Sequence, residues 1–239
     1  MEAKFLGIIP ARGGSKSIHL KNIKPLLGKP LIAYTIEEAL KSKYLERVIV
    51  STDNTQIAKI SKEYGAEIPF MRPEEFATDT SPTLPVIQHA LKYLEAEGYI
   101  PDFVVLLQPT SPLREVRHID EAIKKILDTD ADSVITLSEL EIHPAWMRKL
   151  EGDKVYPFVE TNKSVLRRQD LSPIYKLNGA VVVSKREVIL SGKDWQEQDI
   201  RAIVMEPIYS IDIDTPLDFY IAERIMELKY KDSRRFTLV

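Results

Sequence analysis

Phe5-Leu-Gly-Ile-Ile-Pro10-Ala-Arg-Gly-Gly-Ser-Lys16 holds the change of character on which the reading of this chain turns. Phe5–Pro10 is apolar and long enough for one buried strand. Ala11-Arg12-Gly13-Gly14-Ser15-Lys16 then turns polar at once, and Lys21-Asn22 follows a few residues on. Two glycines let a backbone turn with its N–H groups toward a ligand. Arg12, Lys16 and Lys21 add a planar donor fork and two point charges. A basic glycine turn after a strand is one way of holding a polyphosphate, and it points to an enzyme acting on a nucleoside triphosphate. The plainer alternative is a surface turn that is basic. A P-loop is excluded, because Ser15 precedes Lys16 where that motif needs Lys then Ser or Thr. The GxGxxG dinucleotide fingerprint is absent too.

Outward from this loop, strand-like and helix-like stretches alternate. Val48–Thr52 reads as a strand, and residues 54–64 as a helix stopped by Gly65. Leu31–Leu40 reads as a helix started by Pro30. Leu84, Ile87, Leu91 and Leu94 mark another helix, Phe103–Leu107 a strand, Ile119–Leu127 a helix and Ser133–Leu137 a strand. Near-continuous apolar strands between helices predict a mainly parallel sheet covered on both faces. Beyond Leu137 the pattern changes. Trp146–Leu150 and Lys154–Phe158 flank Gly152-Asp153 as a hairpin, and a basic stretch at 163–170 follows. Gly179–Ser184 and Ala202–Met205 return to strands. Pro216–Tyr230 is expected to close the core with Leu217, Ile221, Ile225 and Leu228 on its inner face. The expectation is one α/β domain over residues 1–239, with a β-rich excursion near 140–175.

Composition narrows the field. The chain has 239 residues, 44% of them hydrophobic, no cysteine, and a formal charge of −3 from 33 basic and 36 acidic residues. Disulfides and thiolate metal sites are excluded. Balanced charge gives no general attraction to a nucleic-acid polymer. No apolar run approaches the ~20 residues of a membrane span and no leader is evident, so a cytoplasmic protein is expected.

Ser210-Ile-Asp212-Ile-Asp214 carries the second candidate feature. In an extended strand Asp212 and Asp214 share one face, with Ile211 and Ile213 buried opposite. Two close carboxylates repel unless a cation or proton lies between them, and Mg²⁺ with substrate phosphates is a suitable occupant. The alternative is a helix start capped by Asp214, and both can hold together. Asp128, Asp130 and Asp132 also alternate, but they precede a strand. They therefore belong to the end of the sheet opposite the one where ligands gather. Gln108, directly after Phe103–Leu107, is a candidate partner for a hydroxylated substrate, or part of a simple turn. Arg72 and Ser81 flank a loop able to read a base. Arg167 and Arg168, with Asn178 beyond, suit a substrate carboxylate or form a solvated charge run. The four histidines are scattered, and none is assigned a metal.

Taken together, IIPARGGSK, KNI, GKPLIAYTIEEAL, VIVSTD, PFMRPEEFATD, LLQPTSPLR, RRQDL, NGAVVV and DIDTPLDF resemble the acylneuraminate cytidylyltransferases, in order and over nearly the whole chain. The resemblance implies a Rossmann-like nucleotidyltransferase core and a homodimer whose inserted segment, 140–175, helps complete the partner's site. It implies CTP and a nine-carbon 2-keto acid sugar as substrates, Mg²⁺ as cofactor, and a CMP-sugar and pyrophosphate as products. On this basis Arg12, Gly13, Gly14, Ser15, Lys16, Lys21 and Asn22 would hold CTP, and Arg72 and Ser81 its base. Gln108, Arg167 or Arg168, and Asn178 would contact the sugar. Asp212 and Asp214 would hold Mg²⁺, and Lys21, Arg12 and Asp214 would act in catalysis. Asn178-Gly179-Ala180 is more similar to the sialic and legionaminic branches than to the pseudaminic one. Activation of pseudaminic or 3-deoxy-octulosonic acid, and a catalytically silent nucleotide-binding dimer, are the alternatives. Two departures stand out: Ser17 where the family usually has glycine, which would restrict a left-handed turn, and His19-Leu20 before Lys21.

Overall fold

The computed structural model describes residues 3–15, 17–78, 80–159, 167, 171–192 and 198–235, with side chains to residue 229. Its strands are β1 (Phe5–Pro10), β2 (Pro25–Leu26), β3 (Lys29–Pro30), β4 (Leu45–Ser51), β5 (Phe103–Leu107), β6 (Ser133–Glu139), β7 (Arg148–Glu151), β8 (Lys154–Pro157), β9 (Tyr175–Lys185) and β10 (Ile200–Met205). The helices are α1 (Leu31–Leu40), α2 (Thr55–Glu63), α3 (Thr83–Ala96), α4 (Val116–Thr129), α5 (Arg186–Leu190) and α6 (Pro216–Arg235).

Six strands form the central sheet in the order β10-β6-β9-β5-β1-β4. β1 runs parallel to β4 and β5, and β10 parallel to β6. β9 is antiparallel to both its neighbours. Alternation within β1 explains its double burial. Phe5 and Ile9 join a core with α1, α2 and α4 on one face, while Leu6 and Ile8 join α3 on the other. The chain leaves β1, β4, β5 and β10 along one edge of this sheet. The glycine loop, Asp53, Gln108 and the 206–214 segment therefore converge there, as ligand sites in such sheets do. Asp130 and Asp132 lie at the opposite edge, paired with Lys185.

A third apolar cluster holds the site's own elements. Ile18, Leu26, Leu31, Tyr34, Leu113, Ile213, Phe219, Ala222 and Met226 pack together. Burying Ile213 fully contributes roughly 1.5–3 kcal/mol to seating the acidic segment. This cluster corrects the expected face of α6. Leu217 and Leu228 are 66% and 61% exposed and Ile221 is exposed, whereas Phe219, Ala222 and Met226 point inward, with Ile225 half-buried. The helix carries two apolar stripes of equal period, and Ile213 packing beneath its first turn selects the other one.

In the 140–175 excursion, β7 and β8 pair antiparallel around Gly152, whose φ of +64° fits the first position of a type II′ turn. Both strands are exposed along their length.

Candidate active site

The glycine loop is built against the start of α2. Asn54 caps that helix, its Oδ1 accepting from the N–H groups of Gln56 (2.9 Å) and Ile57 (3.1 Å). Gly13 lies so close that a Cβ there would sit 2.9 Å from the Cβ and Nδ2 of Asn54. Its N–H donates to the Asp53 carboxylate at 2.8 Å. The glycines thus act differently from the expectation. Neither Gly13 nor Gly14 has positive φ, and the Gly13 N–H is engaged by Asp53 rather than left open to a ligand. Close approach is what requires glycine at 13. Gly14 faces open space, and Ser15 is half-buried beside it. Lys16 lies outside the described residues.

Arg12 and Asn22 brace the loop. The Arg12 guanidinium donates to the Thr78 carbonyl at 2.8 Å, joining the glycine loop to the loop that carries Arg72 and Ser81. Asn22 is buried, and its Nδ2 donates to the Arg12 carbonyl at 3.0 Å. Arg72 is buried with its Nε donating to Ser51 Oγ at 3.1 Å and its backbone N–H to the Thr52 carbonyl at 2.7 Å. Burial pushes its pKa down to about 10, with Asp53 opposing and Arg12 adding to the fall. Ser81 closes the same loop on itself: its Oγ accepts from the Thr78 N–H at 3.1 Å and donates to the Glu75 carbonyl at 3.1 Å. Ser17 does not need a left-handed backbone, but Leu20 adopts one, at φ 47°, just before Lys21. A non-glycine residue there costs roughly 1–2 kcal/mol.

Basic loop and acidic segment meet directly. Lys21 Nζ donates to the Ile213 carbonyl at 2.6 Å and reaches Asp214 Oδ1 at 3.3 Å. The Ser17 hydroxyl donates to the Asp214 carbonyl. Residues 211–214 lie outside any strand, so the expected strand is not formed there. The Ile213 N–H donates to the Thr110 carbonyl at 2.9 Å. Asp212 is exposed as a residue, yet neighbouring atoms partly desolvate its carboxyl. Desolvation there pushes its pKa up and the Asp214 charge adds to that, against a hydrogen bond from Thr110 and the Lys21 charge.

The cap of α6 also differs from expectation. Thr215, not Asp214, starts the helix: Asp218 accepts from the Thr215 N–H (2.7 Å) and hydroxyl (2.7 Å), and the Asp218 N–H donates back to Thr215 Oγ1 (3.3 Å). This reciprocal pair is a capping box, and it leaves the Asp214 carboxylate free of capping duty. Thr215-Pro-Leu-Asp218 signals it in the sequence.

On the sugar side, Gln108 is half-buried at the end of β5. Its carbonyl accepts from Arg114 Nη1 at 3.1 Å. Asn178 is not at the surface. It is 4% exposed and fully engaged with Thr136, Ala180, Met205 and Ser210, so direct sugar contact is corrected to a buried structural position. Arg167 is exposed, and Arg168 lies outside the described residues.

Do two carboxylates fit a divalent ion here? Asp212 and Asp214 are hard oxygen donors, and their mutual repulsion is one that a cation relieves. Among the described residues no group of three or more His, Cys, Asp or Glu side chains is placed to hold a metal. A Mg²⁺ here would take two carboxylates and complete its shell from substrate and water, which is its usual habit.

A mainly parallel sheet with a basic glycine loop facing a carboxylate pair at its carboxyl edge is the arrangement of a nucleotidyltransferase. The sequence model of the family described as cytidylyltransferase matches residues 6–234, and the chain belongs to that family. It is 38% identical over 229 residues to the CMP-N,N'-diacetyllegionaminic acid synthase of Legionella pneumophila, covering 94% of this chain and 97% of that enzyme. It is 36% identical to the N-acylneuraminate cytidylyltransferase of Escherichia coli over 96% of this chain. That match takes in 54% of the E. coli protein, so the chain spans about half its length. A solved CMP:2-keto-3-deoxy-manno-octonic acid synthetase complexed with CTP has a TM-score of 0.72 at 16% identity, covering 95% of this chain and 100% of that one. Identity that low speaks for the fold alone. Among the described residues no helix is long and apolar enough to cross a membrane.

Proposed function

We propose that this chain transfers the CMP group of CTP to the anomeric hydroxyl of a nonulosonic acid of the N-acetylneuraminic or legionaminic type, releasing pyrophosphate. The observation that carries the reading is the meeting of the two charged elements. The Lys21 ammonium lies within reach of the Asp214 carboxylate and the Ile213 carbonyl, which supports a reading in which a phosphate-holding cation and a metal-holding carboxylate act side by side.

In the proposed reaction the C2 hydroxyl oxygen of the sugar attacks the α-phosphorus. The new O–P bond forms as the bond from the α-phosphorus to the bridging oxygen breaks, and pyrophosphate leaves. Asp214 takes the hydroxyl proton, directly or through a water. Lys21 and Arg12 offset charge gathering on the phosphates. Asp212 and Asp214 would hold Mg²⁺, whose contribution when bound is to neutralise phosphate oxygens and polarise the reacting centre. Arg72 and Ser81 shape the base pocket, and Gln108 meets the sugar.

The protein works as a homodimer in this reading. Leu150, Val155, Tyr156 and Phe158 of the excursion and Tyr175 and Leu177 of β9 are each exposed. A lone two-stranded hairpin is marginal in water, and a second copy would cover it.

Pyrophosphate release from CTP and Mg²⁺ with N-acetylneuraminic, legionaminic, pseudaminic and 3-deoxy-octulosonic acids tests the proposal. Release with one of the first two is expected. Release only with pseudaminic or 3-deoxy-octulosonic acid would reassign the sugar. Absence with all four in folded protein would leave a silent nucleotide binder.

A further inference from the structure

The acidic segment has no ladder to hold it, since residues 211–214 lie outside any strand. Something else must set where Asp212 stands. At one side the Ile213 N–H is fixed to the Thr110 carbonyl at 2.9 Å and its side chain is fully buried. At the other side Ser210 is buried, its Oγ donating to the Glu206 carbonyl at 3.1 Å and accepting from Asn178 Nδ2 at 3.0 Å. Asp212 lies between these two anchors.

Asn178 is well made for the task. Its Oδ1 accepts from Thr136 Oγ1 at 2.5 Å and from the Ala180 N–H at 3.1 Å, while Nδ2 donates to Ser210 and to Met205 Sδ at 3.3 Å. Exchanging its amide oxygen and nitrogen would turn Nδ2 against the Ala180 N–H, donor to donor, so only one orientation satisfies it. Thr136 is itself held, its Oγ1 accepting from the Val181 N–H at 3.0 Å. The chain of bonds thus runs from the middle of β6, through β9, to the residue two before Asp212. Gly179 follows Asn178 at φ +67°.

We infer that Asn178 is a positioning residue of the reaction, acting through Ser210, and that the buried Thr136–Asn178–Ser210 strut sets the place of Asp212. The inference rests on the proposed nucleotidyl transfer, but the strut can be tested without it. The test compares wild type with Ser210→Ala, Ser210→Thr and, at the far end of the strut, Thr136→Val. Amide hydrogen exchange at 211–214 is read in the free protein, and the half-saturating Mg²⁺ concentration, kcat and KM for CTP during turnover. In Ser210→Ala, exchange at 211–214 is expected to quicken about tenfold, with other core amides unchanged. Half-saturating Mg²⁺ should rise about fivefold and kcat fall about tenfold, with KM for CTP within about twofold. Ser210→Thr, which keeps the hydroxyl, should stay within about threefold of wild type, and Thr136→Val should move in the same direction as Ser210→Ala by less. Wild-type exchange at 211–214 in Ser210→Ala overturns the strut, whether or not the protein turns over CTP. Faster exchange with unchanged Mg²⁺ dependence overturns the positioning role, because a merely structural bond would do that much.

Discussion

Gly13→Ala probes the close approach on which the glycine loop depends. The added Cβ would meet the Cβ and Nδ2 of Asn54 at 2.9 Å and its Cγ at 3.3 Å. Asn54 cannot simply swing away, because its Oδ1 accepts from two N–H groups at the start of α2. If Asn54 gives, the cap is lost at about 0.5–2 kcal/mol. If the loop gives, the 2.8 Å bond from Gly13 to the Asp53 carboxylate breaks, at about 1.5–3 kcal/mol. Either route costs about 2 kcal/mol, which lowers Tm by about 4–8 °C in a chain of this size. KM for CTP should rise as well, because the loop or its support has moved. Asn54→Gly removes the clashing atoms and keeps a tolerated cap residue, at a few tenths of a kcal/mol by general experience (roughly 0.3). In that background Gly13→Ala should cost under about 0.5 kcal/mol, a coupling of about 1.5 kcal/mol. Urea unfolding of the four proteins at one concentration measures it. Additive costs, within about 0.5 kcal/mol, would refute the contact as the reason for glycine.

Asp212→Asn should lower kcat by at least about a hundredfold with an unchanged circular dichroism spectrum; wild-type turnover would remove Asp212 from the site. Desolvation and Asp214 raise the Asp212 pKa while Lys21 lowers it. Lys21→Ala should therefore move the acid limb of the kcat profile to higher pH in whatever activity remains, and an unmoved limb would contradict that coupling. His118 is buried, its Nδ1 accepts from the Glu115 N–H, and its pKa is pushed down to about 4, chiefly by burial with Arg117 adding to it. The folded state thus holds it neutral. Its contribution is complete above the ordinary histidine value near ~6.5 and falls away as pH drops toward about 4, by up to about 3 kcal/mol. His118→Gln should flatten that part of the stability profile, and an equal slope in both proteins would count against it. Leu150→Asp places a charge on the exposed hairpin and should halve the mass seen by light scattering; an unchanged dimer would exclude the hairpin as its seam.

The sheet was legible because its central strands β1 and β5 are buried on both faces. Phe103–Leu107 and Phe5–Pro10 have no competing period, and Pro30, Asn54 and Gly65 punctuate α1 and α2 at their ends. Placement at the strand ends also separated Asp212 and Asp214 from the decoy at Asp130 and Asp132. Three details were hidden for different reasons. α6 carries two apolar stripes, and only its contact with Ile213 decides between them. Asn178 resembles a ligand-binding amide in sequence, but its four partners come from three distant segments and its own neighbour. Gly13 reads as a flexible turn residue, whereas its reason is the proximity of Asn54, forty-one positions away in the chain. Ser17 reads as an obstacle to a left-handed turn, but that conformation falls to Leu20, and Ser17 instead ties the loop to Asp214.

In the proposed reaction a sugar hydroxyl displaces pyrophosphate at the α-phosphorus of CTP beside the contact of Lys21 with Asp214. Turnover with the accepted 2-keto acid sugar, labelled with oxygen-18 at its C2 hydroxyl, tests this most directly. The account predicts the label in the oxygen joining sugar to phosphorus in the CMP-sugar, with none in pyrophosphate. Label missing from that oxygen, or CMP released without a sugar bond, would contradict it.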